Sequence, residues 1–155
     1  ITPNVSVMAI EPEANPLADW LESKRRFLAL PDDVLVLPAH NTPFHGLHAR
    51  LRYLIAHHED HLAALEEACV TPSVALELLP VIFRRKLDVE QTGLALGECI
   101  AHLNFLLQSG RVRRELDGDG LYRYITVDPS VAARAGKIAH QRDDDPVMVY
   151  EGEPI

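Results

Sequence analysis

Apolar and polar positions follow two rhythms along the chain, and the helical one is the stronger. From Gly46 to Ala68 it places Leu47, Leu51, Leu54, Ile55, His58, Leu62 and Leu65, with Cys69 just beyond, at three- and four-residue steps. That spacing draws one apolar stripe down a long helix. A second helix is predicted from Asn15-Pro16 to about Leu30, because Asn caps and proline fits the first helical position. Leu17, Trp20, Leu21, Phe27 and Leu28 share its face, and Lys24 joins them through its methylene stem. A third helix is expected over Ser73–Arg85, kinked or divided at Pro80. A fourth opens on the capping-box pattern Asp88-Val89-Glu90-Gln91, carries Leu94, Leu96, Ile100, Leu103, Leu106 and Leu107, and stops at Gly110.

The strand rhythm is sparser. Val5 to Ile10 reads as a short apolar strand, and Val34-Leu35-Val36-Leu37, which lacks alternation, reads as a strand buried on both faces. Pro38-Ala39-His40-Asn41-Thr42-Pro43 follows directly, a proline-bracketed loop at a strand end, where layered folds place their ligands. Arg111–Leu116 and Leu121–Val127 are joined by Asp117-Gly118-Asp119-Gly120, whose residues tolerate positive φ, so a β-hairpin is predicted. Helix, helix and hairpin in this order outline a winged-helix unit.

Composition narrows the class. With 47% apolar and 25% charged residues over 155 positions, the chain is an ordinary globular one, not a disordered, collagenous or disulfide-stapled one. Fifteen basic against twenty-three acidic residues give a net charge of −8, and residues 141–155 alone hold one Arg and five acids. This balance opposes a dominant grip on nucleic acid or an anionic membrane. The predicted fourth helix reinforces the point: Val89 to Gln108 contains no Lys or Arg, although base and phosphate contacts depend on them. Arg111, Arg113, Arg114 and Arg123 on the hairpin are offset by Glu115, Asp117 and Asp119, so a packing or dimerisation role is preferred over DNA reading. Cys69 and Cys99 both lie in apolar helical settings and read as reduced core thiols. The absence of a signal-peptide pattern and of an eighteen-residue apolar run predicts a cytoplasmic protein without a membrane partner.

The histidines are uneven: six of the eight lie between His40 and His61. His57 and His61 are four apart on one helix face, but His58-Glu59 is followed by His61, one position too early for the His-Glu-x-x-His zinc motif. His58 falls on the apolar stripe and is expected to be packed, with His57 and His61 solvated or paired with neighbouring acids. His40, between two prolines at a strand mouth, has the rigidity of a metal ligand or general base, but alone it reads as a structural hydrogen-bonder.

Several phrases together resemble the C-terminal part of metallo-β-lactamase-fold hydrolases, and more closely the glyoxalase-II-like branch with a C-terminal winged-helix domain. They are Ile1-Thr2-Pro3-Asn4-Val5, Leu17-Ala18-Asp19-Trp20-Leu21, Val36-Leu37-Pro38-Ala39-His40-Asn41-Thr42-Pro43-Phe44, Gly46-Leu47-His48-Ala49-Arg50-Leu51 and His57-His58. The resemblance implies that His40 is a ligand of zinc or another divalent ion, and that the whole enzyme activates water against an ester, thioester or related bond of a small-molecule substrate. It differs in two respects. Ala39 and Asn41 stand where the family phrase has glycine, and His-x-His-x-Asp-His occurs nowhere in the chain. A single His cannot hold a catalytic zinc. The chain is therefore expected to be the C-terminal piece of a longer hydrolase, inactive alone, with the metal absent or weakly bound.

The expected architecture is α+β. Residues 1–69 would be the last strands and helices of the αββα catalytic sandwich, 70–130 the winged-helix domain and 131–155 an acidic tail. Self-association is expected, because the Leu17–Leu28 helix would otherwise expose apolar surface. The rival class is a winged-helix module that binds nucleic acid or protein without catalysis. A further alternative is a phosphodiesterase or RNase of the same fold.

Overall fold

The computed structural model describes residues 2–131. Among them the order is α1 (Pro16–Phe27), α2 (Leu47–Ala68), α3 (Leu79–Ile82), α4 (Val89–Gln108), β1 (Val112–Leu116) and β2 (Tyr122–Thr126). The chain is thus mixed, helices with one small antiparallel sheet, and no described helix is long and apolar enough to cross a membrane. The acidic tail lies outside the described residues from 132 onward.

Local chemistry explains the helix ends. Asn15 Oδ1 accepts from the Ala18 amide at 3.1 Å, Pro16 opens α1, and Lys24, Arg25 and Arg26 sit in its last turn, at the negative end of the dipole. Gly46 precedes α2 in the left-handed region at φ 88° and offers no side-chain cap. Asp32 supplies one from a distance, its Oδ1 accepting from the His48 amide at 2.7 Å. Asp88 caps α4 through the Gln91 amide at 2.8 Å. The other end of α4 closes as a Schellman motif, in which the Arg111 amide donates to Leu106 O (2.9 Å), the Gly110 amide to Leu107 O (3.1 Å), and Gly110 adopts φ 70°.

β1 and β2 pair in register from Val112–Thr126 to Leu116–Tyr122. Their turn is tied by Asp117, whose Oδ1 accepts from the Asp119 and Leu121 amides, and Gly120 takes φ 78°. Ser73 adds a single bridge to Tyr124 on the outer edge of β2.

Three expected elements differ. Ser73–Arg85 is not one helix. Turns precede a four-residue α3, and Pro80 falls in its first two positions, where its missing N–H is harmless, so the proline starts a helix and does not break one. Val5–Ile10 forms no ladder, and its Val7 amide donates instead to the Gly97 carbonyl of α4 at 3.2 Å. Val34–Leu37 is extended but makes only the Val36–Phe44 bridge, and Leu35 and Leu37 are exposed rather than buried. Among the described residues no further strand lies beside it to complete a sheet.

One core unites α1 (Leu17, Leu21), the second half of α2 (Leu62, Leu65), α3, α4 (Cys99, Leu103, Leu106) and the hairpin (Val112, Tyr124). The segment before α1 is held onto α4 by polar side chains. Asn104 Nδ2 donates to the Pro12 and Ala14 carbonyls at 2.8 Å each, and Gln108 Nε2 donates to Glu13 O at 3.1 Å.

Candidate functional site

His40 sits in a loop whose neck is the Val36–Phe44 bridge, with the Val36 amide donating to Phe44 O at 2.8 Å and the Phe44 amide to Val36 O at 3.1 Å. Between them Pro38 and Pro43 stiffen the backbone and Asn41 takes φ 69°. Asparagine enters the left-handed region more readily than other non-glycine residues, so the side chain at this position does not prevent the turn. The His40 ring is exposed.

The nearby histidines do other work. His48 Nε2 donates to Leu30 O at 2.7 Å, and its Nδ1 faces the Asp32 carboxylate at 3.8 Å. His45 Nδ1 bonds Asp33 O at 3.0 Å. Both rings pin the start of α2 to the turn after α1. The Asp32 carboxylate is accordingly a cap and not merely a solvated turn residue.

His57, His58 and His61 meet His102 of α4. His58 and His102 ring centroids are 5.1 Å apart, His61 and His102 5.5 Å, and His57 and His61 4.2 Å. The Trp20 indole of α1 packs edge-on against His58 at 4.6 Å. His58 is fully buried, as its place on the stripe predicts, but His57 and His61 are half-buried and in tilted ring contact rather than solvated. His102 is the residue that sequence reasoning missed. Its signal was a fully buried polar position between Cys99 and Leu103 on the apolar face of α4.

The hydrogen-bond chain fixes the tautomers. His102 Nδ1 lies 2.8 Å from Glu98 O, which only accepts, so Nδ1 carries the proton and Nε2 accepts. His58 Nδ1, 3.0 Å from that Nε2, must then donate, leaving its own Nε2 bare. His58 Nε2 and His61 Nδ1 are both buried without a hydrogen-bond partner. All four rings are held below the usual imidazole range, first by burial. His58 falls to about 4, with His102 and His57 adding repulsion and the Pro3 carbonyl opposing, and His61 falls to about 3 through burial and its three histidine neighbours. Burial raises Glu98 to about 7 and each of Cys69 and Cys99 to about 12, which leaves the thiols inert.

The hairpin guanidiniums are committed to acids. Arg111 pairs with Glu66, Arg113 with Glu115, Arg114 with Glu13 at 3.1 Å, and Arg123 with Asp117 at 2.8 Å and with Glu77 at 3.7 Å.

Residues 62–127 match the family described as the metallo-beta-lactamase-like C-terminal domain. That match spans the second half of α2, α3, α4 and the whole hairpin. The chain is also similar to the crystal structure of a beta-lactamase domain protein from Burkholderia ambifaria, at 46% identity and a TM-score of 0.78 over 80% of this chain. A metallo-beta-lactamase family protein from Thermus thermophilus is similar at 33% identity and a TM-score of 0.65 over 81% of this chain. The chain spans only 37% and 38% of these two proteins. No curated protein matches the sequence.

Such families bind divalent metals, and the residues present fit one ligand rather than a site. Among the described residues no three His, Cys, Asp or Glu side chains gather to hold a metal, the histidine cluster included.

Proposed function

We propose that the chain is the C-terminal portion of a metal-dependent hydrolase of metallo-β-lactamase fold, glyoxalase-II-like, in which His40 is one ligand of a divalent ion such as zinc. The observation that carries this reading is Asn41 at φ 69° beside an exposed His40, in a loop closed at its neck and bracketed by prolines. A glycine-type turn is kept where the resembling family has glycine, which supports reading His40 as the ligand. Similarity to two metallo-beta-lactamase-type structures that are each more than twice this chain's length supports placing the other ligands elsewhere in a longer protein.

In such an enzyme the ion, when bound, lowers the pKa of a water and polarises the scissile ester or thioester bond. This chain contributes the His40 imidazole and the proline-bracketed loop that carries it. Residues 1–69 belong in this reading to the catalytic domain. Residues 70–130 form a winged-helix unit that packs on that domain and borders the path of a small-molecule substrate. The paired hairpin arginines and the lack of Lys or Arg in α4 speak against a nucleic-acid substrate or partner.

Three measurements test the reading. The coding sequence upstream of Ile1 should encode His-x-His-x-Asp-His, and a reading frame that begins at Ile1 would sink the proposal. Zinc titrated into the 155-residue chain by calorimetry should bind weakly, because one imidazole is too few ligands, and tight stoichiometric zinc would contradict an incomplete site. In the longer protein, His40→Ala should lower both metal content and ester hydrolysis by at least about tenfold. Unchanged metal content would remove His40 from the site.

A further inference from the structure

We propose that His57, His58, His61 and His102, with Trp20, form an acid-sensitive latch that fastens α1 and the segment before it to α2 and α4. The geometry carries it. Four imidazoles from two helices form one contiguous cluster, the α1 indole packs against the buried His58 ring, and two directional bonds, His102 to Glu98 O and His58 to His102, order the rings. In the neutral cluster this chain of bonds runs from His58 through His102 to Glu98 O. A proton arriving at His102 Nε2 takes the lone pair that His58 uses, so the 3.0 Å contact survives only if the His58 proton moves from Nδ1 to Nε2, and a positive charge is left buried among the rings. A proton on His61 Nδ1 charges a buried atom that has no hydrogen-bond partner.

Lys24, Arg50 and Glu98, which face the cluster from three helices, do not neutralise it. From α1, Lys24 stands over the Trp20 ring at 4.9 Å, adding positive charge on that side. From α2, Arg50 disfavours protonation of His57. From α4, the Glu98 side chain is itself raised to about 7 by burial, so it is largely uncharged in mild acid and offers no counter-ion there. From the N-terminal segment, the Pro3 carbonyl is the one group that favours a charged His58.

The sign follows from the shifts. Each ring has a folded pKa below its unfolded value of 6.5, so the unfolded state binds more protons between the two. The latch is therefore closed above pH 6.5 and loses hold as pH falls toward the folded values. Glu98 acts in the opposite sense, since its raised pKa favours the folded state most below 4.5 and loses that contribution as pH rises through about 7. One carboxyl offsets about one of the four histidines, and the net response remains acid-triggered.

Trp20 is the single tryptophan of the chain and reports on the cluster directly. An acid titration of the 155-residue chain should quench and red-shift its fluorescence in one steep step near about pH 5, taking up roughly two or more protons, while far-UV circular dichroism of α2 and α4 is largely retained. His58→Asn with His61→Asn removes two of the proton sites and should move the step down by about one pH unit and flatten it. If that double variant fails to fold at about pH 7.5, the imidazole proton resonances of the unaltered chain decide. All four rings should titrate below 6.5. A cluster ring that titrates at its ordinary value, a fluorescence step of single-proton steepness, or a step unmoved in a folded double variant would each overturn the latch.

Discussion

Asn41 shows how one residue sets the conditions for a functional loop. A left-handed backbone costs an ordinary L-residue about 1–2 kcal/mol, and Asn less. Asn41→Val should therefore destabilise the chain by about 1 kcal/mol in urea unfolding, whereas Asn41→Gly should change it little. Equal losses for the two would mean that φ 69° does not constrain the loop. Asp32 is the second instructive residue. Its carboxylate caps α2 from sixteen positions away, where Gly46 supplies no side chain. Asp32→Ala should cost about 1 kcal/mol, and Asp33→Ala much less, because Asp33 contributes its backbone carbonyl to His45. Comparable losses in thermal unfolding would contradict the capping role.

At the scale of elements, α1, α4 and the hairpin were legible from their chemical stops, Asn15-Pro16, Asp88 with Gln91, Gly110, and Asp117 to Gly120, and α2 from its apolar stripe. The Val34–Leu37 segment was misread as a doubly buried strand because an unbroken apolar run records what a segment is suited to pack against, and no such layer lies among the described residues. The Ser73–Arg85 helix was overextended because Pro80 suits a helix start as well as a break. His40 could be singled out from its bracketing prolines and the resemblance. The contact between His102 and His58 could not be read, because they lie 44 positions apart and nothing local announces a pairing between helices. The same blindness applies to Gly97. A Cβ there would stand 2.3 Å from Ser6 Oγ and 3.5 Å from Val7 O, so the N-terminal segment lies directly over this bare position of α4. Gly97→Ala needs only a turn of the Ser6 hydroxyl, and the helix gains from alanine, so its net effect should be within about 1 kcal/mol of zero. Gly97→Leu must move the backbone around Val7 and should cost about 1–3 kcal/mol while baring Val5. A leucine variant as stable as the parent in urea would show that the segment is not seated on α4.

For the whole molecule the distribution of apolar surface is uneven. The shared core buries Leu17 and Leu21 on one side of α1, but on the other side Phe27 is 45% exposed, with Leu30 at 45%, Leu35 at 47% and Leu37 at 74%. They border one groove together with Pro38 and Leu47. A contiguous apolar face of this kind is seldom left to water, and in the proposed parent the rest of the sandwich would cover it. In the isolated chain a second copy is the expected cover. Sedimentation velocity should therefore show reversible, concentration-dependent association. Leu35→Ser combined with Leu37→Ser should weaken it at least about tenfold, or about 1.4 kcal/mol, with no loss of helix content, since neither side chain belongs to the core. The longer protein should not associate through this face, so the same two substitutions should there lower thermal stability instead. An isolated chain that stays monomeric at every concentration would show that the face is tolerated in water, and the packing role assigned to Leu35 and Leu37 would fall with it.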